Sequence, residues 1–391
     1  MKILYFSWGE NSSEDAISTF VSMGHRVSRM KVILQDYLYQ PAVSAALEKV
    51  LKGDTFDFIF SFNFIPIVSD SAQACHTKYV SWVYDCPHWT LYSPALKNEC
   101  NYIFLFDREM AKTASILGAK HIQHLPLACN TKRIKKQLQI TEEKAPAIYE
   151  HDISFVGNLY EHNHYNQIKY LPQNLRGYLE GMMAAQKKLW GCNLAAELLT
   201  PAKVEKLQSY LKLETDPNCP IPQYDLFQAI LLAKITSDER IQFLNELAKH
   251  YDVALYSASG KRLCPDVAHK GTVTYARQMP QVFNKSKINL NITLRSIVSG
   301  IPLRAIDIMG CSGFLLTNYQ PELAEYFVPD RDFVFYDSLD DLIQKAGYYL
   351  SHKKEREKIA LSGYKKVQRD FSYEIQLAKI LRSIRGQDAP V

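Results

Sequence analysis

The chain has 391 residues, of which 47% are hydrophobic and 22% charged, and its formal net charge is +5. That length exceeds one ordinary hydrophobic core and predicts two domains. The mild positive charge suits a site for an anion, and the lack of a dense Lys/Arg stripe argues against a nucleic-acid binder. The richest basic run, Lys353 to Lys358, is interrupted by Glu355 and Glu357 and reads as a solvated helix face. The eight cysteines (Cys75, Cys86, Cys100, Cys129, Cys192, Cys219, Cys264 and Cys311) contain no Cys-x-x-Cys pair. They read as buried thiols in a reducing compartment, not as a disulfide frame or a zinc site. The opening Met1-Lys2-Ile3-Leu4-Tyr5-Phe6 runs straight into a polar loop, and no stretch reaches the length of a membrane span. A cytoplasmic protein is expected, with peripheral membrane contact left open.

In chain order, Lys2 to Ser7 is a short buried strand, followed by the loop Trp8 to Ser12 and a helix from about Ser13 to Met23 that Gly24 closes. Phe56 to Phe62, Lys78 to Tyr84 and Tyr102 to Phe106 are apolar runs, and His121 to Leu127 is a further candidate strand. Separated by helical stretches, they predict a parallel sheet covered on both faces. Residues 131 to 150 are polar and proline-punctuated, a hinge candidate. The alternation restarts with the strand Asp152 to Val156, which ends in a turn at Gly157 and Asn158. From about 160 to 235, helical spacing in Leu175 to Leu198, Val204 to Leu213 and Asp225 to Lys234 predicts an insertion of two to four helices. Thr236 and Glu239 form a capping-box pattern that predicts a new helix start. Strands follow at Tyr251 to Ser257, Ile288 to Ile292 and Gly313 to Thr317. Helices are expected at Met279 to Asn284, Pro302 to Met309, Leu339 to Leu350 and Glu355 to Phe371. The whole is α/β: an N-terminal Rossmann-like domain over 1–140, a second over 150–365 carrying the insertion at about 160–235, and a C-terminal helix and tail over 366–391 returning toward the first domain.

The loops after the first strand of each domain offer only Gly9 and Gly157, so neither carries the Gly-x-Gly-x-x-Gly of a dinucleotide site, and no P-loop occurs. Tyr84-Asp85-Cys86-Pro87-His88 has no metal-ligand spacing. The most informative segment runs from Lys287 to Phe327 and reads strand, loop, helix, strand. Pro302 is expected at the first helical position with Ser299 or Gly300 as cap. The exposed N–H groups of such a helix start favour a phosphate. Arg295 and Arg304 flank it and could pair with diphosphate oxygens. Asp307, one turn in, suits two neighbouring ribose hydroxyls. The same residues also fit an ordinary surface acid with two salt-bridging arginines.

This block resembles the C-terminal signature of the group 1 glycosyltransferases, most closely the bacterial spore-maturation (CgeB-like) glycosyltransferases. The similarity extends to Phe155-Val156-Gly157-Asn158-Leu159-Tyr160, Gly271 to Leu303, Arg304 to Thr317 and Tyr336 to Tyr349, and to Tyr84 to His88 and His124 to Ala128 in the first domain. The resemblance implies a GT-B fold, two Rossmann-like domains facing a cleft. It implies a nucleoside-diphosphate sugar donor, UDP-linked, used without a required metal or other cofactor. The activity implied is a hexosyl- or N-acetylhexosaminyltransferase acting on a hydroxyl of a glycan, protein or small molecule. Donor-binding positions are then Gly157, Asn158, Tyr275, Arg295, Ser299, Gly300, Arg304 and Asp307, with Met279 beside Tyr275 near the base. Retaining relatives carry Glu-x7-Glu; Asp307 takes the second position, whereas the first falls at Ser299, which departs from the motif and leaves the stereochemical outcome open. Asp85 and His88 follow a strand of the first domain and are candidates for the general base, or for a capped turn around Pro87. A sugar-nucleotide epimerase of the same fold and a non-catalytic nucleotide-sugar or glycan binder are the competing readings. Acceptor and oligomeric state stay open.

Overall fold

The computed structural model describes residues 1–140, 148–168, 170–259 and 262–386. The chain divides into two compact units. The predicted hinge over 131–150 lies in part outside the described residues; its first part is the helix Thr131–Leu138, capped by the Asn130 side chain.

The first unit comprises Met1–Ala128, Glu214–Ile221 and the chain from Phe371 onward. Its six strands are β1 (Lys2–Ser7), β2 (Arg26–Lys31), β3 (Phe58–Phe62), β4 (Tyr79–Val83), β5 (Asn101–Leu105) and β6 (Ile122–His124), all parallel in the order β2-β1-β3-β4-β5-β6. Every residue of β3 and β4 is buried, as in a sheet covered on both faces, which is why these strands are apolar but for Ser61 and Ser81. The order reverses between β1 and β3, the place where open α/β sheets leave a crevice at the strand ends. The late helix Tyr373–Ser383 belongs to this unit. Its Tyr373 ring packs edge-on against Phe62 and Trp82, and Lys78 Nζ donates to Ile384 O at 2.9 Å.

The second unit comprises Cys129–Leu213 and Pro222–Asp370. Its strands β7 (His151–Val156), β8 (Val253–Tyr256), β9 (Ala268–His269), β10 (Ser286–Asn291), β11 (Leu315–Asn318) and β12 (Val334–Tyr336) form a parallel sheet in the order β12-β11-β10-β7-β8-β9. Ile153, Phe155, Leu255, Ile288, Leu290 and Leu316 fill its core. The insertion contributes the helices Gln173–Lys187, Leu194–Leu198 and Pro201–Gln208.

Two expectations are corrected here. Thr236 does not begin a helix: one uninterrupted helix runs from Gln223 to Ala248. Its 26 residues span about 39 Å. Phe227, Leu231 and Ile235 in its first half pack with Leu175, Leu179 and Met182 in a core belonging to the insertion. Phe243, Leu244 and Leu247 in its second half belong to the core of the sheet. The polar stretch between these halves looks like a cap in one dimension, but its side chains are used by tertiary partners described below. The second correction concerns Pro302. It sits one residue before the helix Leu303–Gly310, in extended conformation (ψ 140°), so neither Ser299 nor Gly300 caps that helix. Among the described residues, no helix is long and apolar enough to cross a membrane.

Candidate active site

In the second unit, the loops after β7 and β10 and the helix Leu303–Gly310 carry most of the candidate residues. Asp307 is buried on that helix. Tyr275 donates its hydroxyl to Asp307 Oδ1 at 3.1 Å, and Arg304 Nη1 lies 3.9 Å from Asp307 Oδ2, the two residues being one helical turn apart. Arg304 also stacks over Phe283 at 5.4 Å and touches Met279 Sδ. Its side chain stays 29% exposed, enough for a guanidinium to meet a ligand. The structure therefore brings Tyr275, Met279, Arg304 and Asp307 together.

Gly157 ends β7 where a side chain would crowd its neighbours: an added Cβ would sit 3.3 Å from the Phe155 ring. Asn158 folds the turn by accepting from Tyr160 N at 2.6 Å through Oδ1. Beneath this turn lies Arg240, buried between the rings of Phe155 and Tyr160. It donates to Asn158 O and to Ile292 O, and so ties the loop after β7 to the loop after β10. Burial lowers its pKa to about 10.

Arg295 departs from the part expected of it. Only 6% of it is exposed. Nε donates to Glu239 Oε2 at 2.7 Å and Nη2 pairs with Glu239 Oε1. Nη1 donates to Leu189 O at 2.6 Å, Nη2 also to Lys187 O at 3.2 Å, and the guanidinium stacks 3.2 Å from the centre of the Trp190 ring. Its backbone N–H donates to Thr236 Oγ1 at 3.0 Å. The charge expected to meet a diphosphate is thus committed to Glu239 and to the insertion, because a buried guanidinium needs a carboxylate to offset its desolvation. Glu239 is itself fully buried, and burial pushes its carboxyl upward against the pull of Arg295. Ser299 and Gly300 lie in a loop fastened to the start of the helix Pro321–Tyr326. Ser299 Oγ donates to Glu322 Oε1 at 2.7 Å, Glu322 N to Ser299 O at 3.1 Å, and Gln320 Nε2 to Gly300 O at 3.0 Å.

In the first unit, Asp85 is exposed at the end of β4 and accepts from Asn63 Nδ2 at 2.7 Å. Asn63, buried with φ 59°, also accepts from Tyr84 N and Asp85 N through Oδ1, and so sets the loop geometry. His88 is placed differently. Its Nε2 lies within hydrogen-bond distance of Phe64 N (3.0 Å), Phe64 O (2.9 Å) and Thr90 Oγ1 (2.8 Å), and burial lowers its pKa. That geometry makes it a brace between the ends of β3 and β4. Glu10 is buried, accepting from Tyr5 O–H at 2.8 Å and Trp8 N at 2.9 Å. Among the described residues, no cluster of three or more His, Cys, Asp or Glu side chains could hold a metal ion.

Sequence reasoning did not single out Arg240 or Glu322, and it read Glu239 only as part of a helix cap. Glu239 and Arg240 carried a visible signal, two opposite charges inside an apolar helical pattern, which reads equally as a helix cap in sequence.

Residues 239–382 match the family described as glycosyl transferase-like. No curated protein matches the chain. Solved structures with a similar fold include a UDP-forming α,α-trehalose-phosphate synthase from Burkholderia xenovorans, with TM-score 0.54, 11% identity, and coverage of 100% of this chain and 99% of that one. A sucrose-phosphate synthase from Thermosynechococcus elongatus has TM-score 0.53, 10% identity, and coverage of 99% and 100%. The BGT of T4 phage, solved with its UDP-glucose substrate, has TM-score 0.53, 10% identity, and coverage of 98% and 99%. The fold is GT-B. In this GT-B chain the family match begins at Glu239 and takes in Tyr275, Arg295, Arg304 and Asp307.

Proposed function

We propose that this chain is a glycosyltransferase that takes a sugar from a nucleoside diphosphate, UDP-linked, and passes it to a hydroxyl acceptor. The observation that carries the reading is the cluster of Tyr275, Arg304 and Asp307 around the helix Leu303–Gly310, within the segment that matches a glycosyl transferase-like family. Support for the donor class comes from the similar fold of an enzyme solved with UDP-glucose. The Asp307 carboxylate receives the ribose hydroxyls, and Tyr275 holds that carboxylate and borders the base. Arg304 and the backbone N–H groups at the start of the helix take the diphosphate. As the bond from the anomeric carbon to the diphosphate oxygen breaks, charge grows on the leaving UDP. Arg304 and those fixed N–H groups stabilise it without reorganising, so no metal is required. Gly157 and Asn158 border the sugar, with Ser299 and Gly300 on the facing loop. We assign the acceptor to the first unit, where Asp85 takes the proton of the attacking hydroxyl. His88 keeps the loop of Asp85 in place. Arg295 serves the site through position, by holding the loop after β10. The narrower likeness to the spore-maturation (CgeB-like) enzymes, and a cytoplasmic setting, belong to the same reading.

The test is calorimetric titration of UDP, UMP and uridine, followed by turnover of UDP-sugars with and without saccharide acceptors. Tight UDP binding and acceptor-dependent UDP release are expected, and chelation should leave the release unchanged. Donor conversion without an acceptor would replace this reading by an epimerase. Absence of UDP binding would remove it.

A further inference from the structure

A pocket lies at one end of the sheet in the second unit, where β10 begins. Its volume is about 280 Å³, and its wall is made by Tyr149, Ser286, Lys287, Ser312 and the first turns of the helix Lys353–Asp370. That helix contributes Lys354, Arg356 and Lys358. Lys354 and Lys358 are exposed and one turn apart, and among the described residues neither is in an ion pair. Lys287 is offset by Asp152 at 2.6 Å.

Arg356 is the feature that ordinary surface charge does not explain. Only 2% of it is exposed, yet it pairs with no carboxylate among the described residues. Nη1 donates to the carbonyls of Tyr349 and Leu350, and the guanidinium also hydrogen-bonds the Tyr149 side chain, whose ring lies 5.4 Å away. Its buried Nε–H has no acceptor among the described residues. A desolvated cation without a counter-charge is costly, and an anion in the pocket it lines would offset that cost. Glu357 is the acid on the wall. It accepts from Tyr149 O–H at 3.1 Å and lies 3.8 Å from Lys353 Nζ, so its charge is engaged away from the two lysines.

We propose that this pocket binds a phosphorylated small molecule, with Arg356, Lys354 and Lys358 around its phosphate and Ser286 and Ser312 beside its polar body. The volume is near the lower end for ligand sites, which suits a phosphomonoester and is too small for a dinucleotide. The site is separate from the donor residues, so its ligand would act as an effector or a second substrate.

The test titrates inorganic phosphate into the full chain by calorimetry, with and without saturating UDP, at ionic strength held constant with chloride. Phosphate binding is expected to persist when UDP is present. Lys354→Ala/Lys358→Ala is expected to weaken it about tenfold or more while leaving UDP affinity unchanged, since two charge-assisted contacts are lost. Both positions are exposed, so the variant keeps its fold. Loss of all phosphate binding on adding UDP, or equal phosphate affinity in the variant, would overturn the proposal. A chain that binds phosphate through these lysines but binds no UDP would sink the functional reading and leave this one standing.

Discussion

Replacing Glu239 by alanine separates a structural from a ligand-binding role for Arg295. In the native chain the Arg295 guanidinium is 6% exposed and has Glu239 as its carboxylate partner, itself 1% exposed. Removing the carboxylate leaves a buried cation with two carbonyl partners and a stacked Trp190 ring, which do not neutralise it. Breaking a buried pair from one side costs about 3–5 kcal/mol. For a unit of this size each kcal/mol lowers the midpoint by about 2–4 °C, so calorimetric melting should fall by roughly 6–20 °C. The double change Glu239→Ala/Arg295→Met should recover most of that loss, because the charge goes with its partner and Met retains contact with Trp190. If Glu239→Ala melts within a degree of the native protein, or if the double variant is no better than the single, the pair does not support the fold as argued. In Arg295→Met alone, Glu239 stays buried without its arginine and its pKa rises further. The native state then holds a proton that the unfolded state releases above about pH 4.3, so this variant should lose stability as pH rises through the window above that value.

Asp307→Ala should weaken uridine, UMP and UDP alike, by about 1–3 kcal/mol in calorimetric titration, since the ribose contact is common to all three. Arg304→Ala should cost UDP about 1.5–3 kcal/mol and leave uridine nearly unchanged; an equal loss for both would remove Arg304 from the diphosphate. His88 has a pKa lowered by burial, so its unfolded form binds a proton that the native form does not. Native stability should therefore decline as pH falls below about 6.5 in urea titrations, and His88→Gln should flatten that decline. Asp85→Asn should lower kcat with donor affinity intact, whereas His88→Gln should alter stability more than kcat. The opposite pattern would move the general base to His88.

The parallel strands were legible where both faces are covered. Phe58–Phe62 and Tyr79–Val83 are fully buried, and their sequences are apolar but for one buried serine each, Ser61 and Ser81. β2 was not, because it sits at the sheet edge and reads Arg-Val-Ser-Arg-Met-Lys, with four of its six residues polar and none buried. The helix Gln223–Ala248 appeared as two because Thr236 and Glu239 imitate a capping box. Their real partner, Arg295, is more than fifty residues away and invisible to local patterning. The same distance explains the misreading of Arg295, since a guanidinium in a loop looks available until its carboxylate is found. Asp307 and Tyr275 were picked out separately, one from its place on a helix and one from its place after a strand, and their hydrogen bond was not visible in either pattern. Asp85 and His88 are three residues apart, yet one is exposed and the other buried, and nothing in their spacing separates a base from a brace.

The packing of Tyr373 against Phe62 and Trp82 has a consequence for how the chain is made. Synthesis delivers Trp82 early and Tyr373 close to three hundred residues later, an interval of roughly 15–60 s at ordinary translation rates. Through that interval the first unit has its sheet but lacks the helix that covers those rings, while all of the second unit emerges from the ribosome. The unit translated last can therefore finish folding first. The N-terminal unit would then wait with an aromatic surface open to chaperones until the helix Tyr373–Ser383 leaves the exit tunnel.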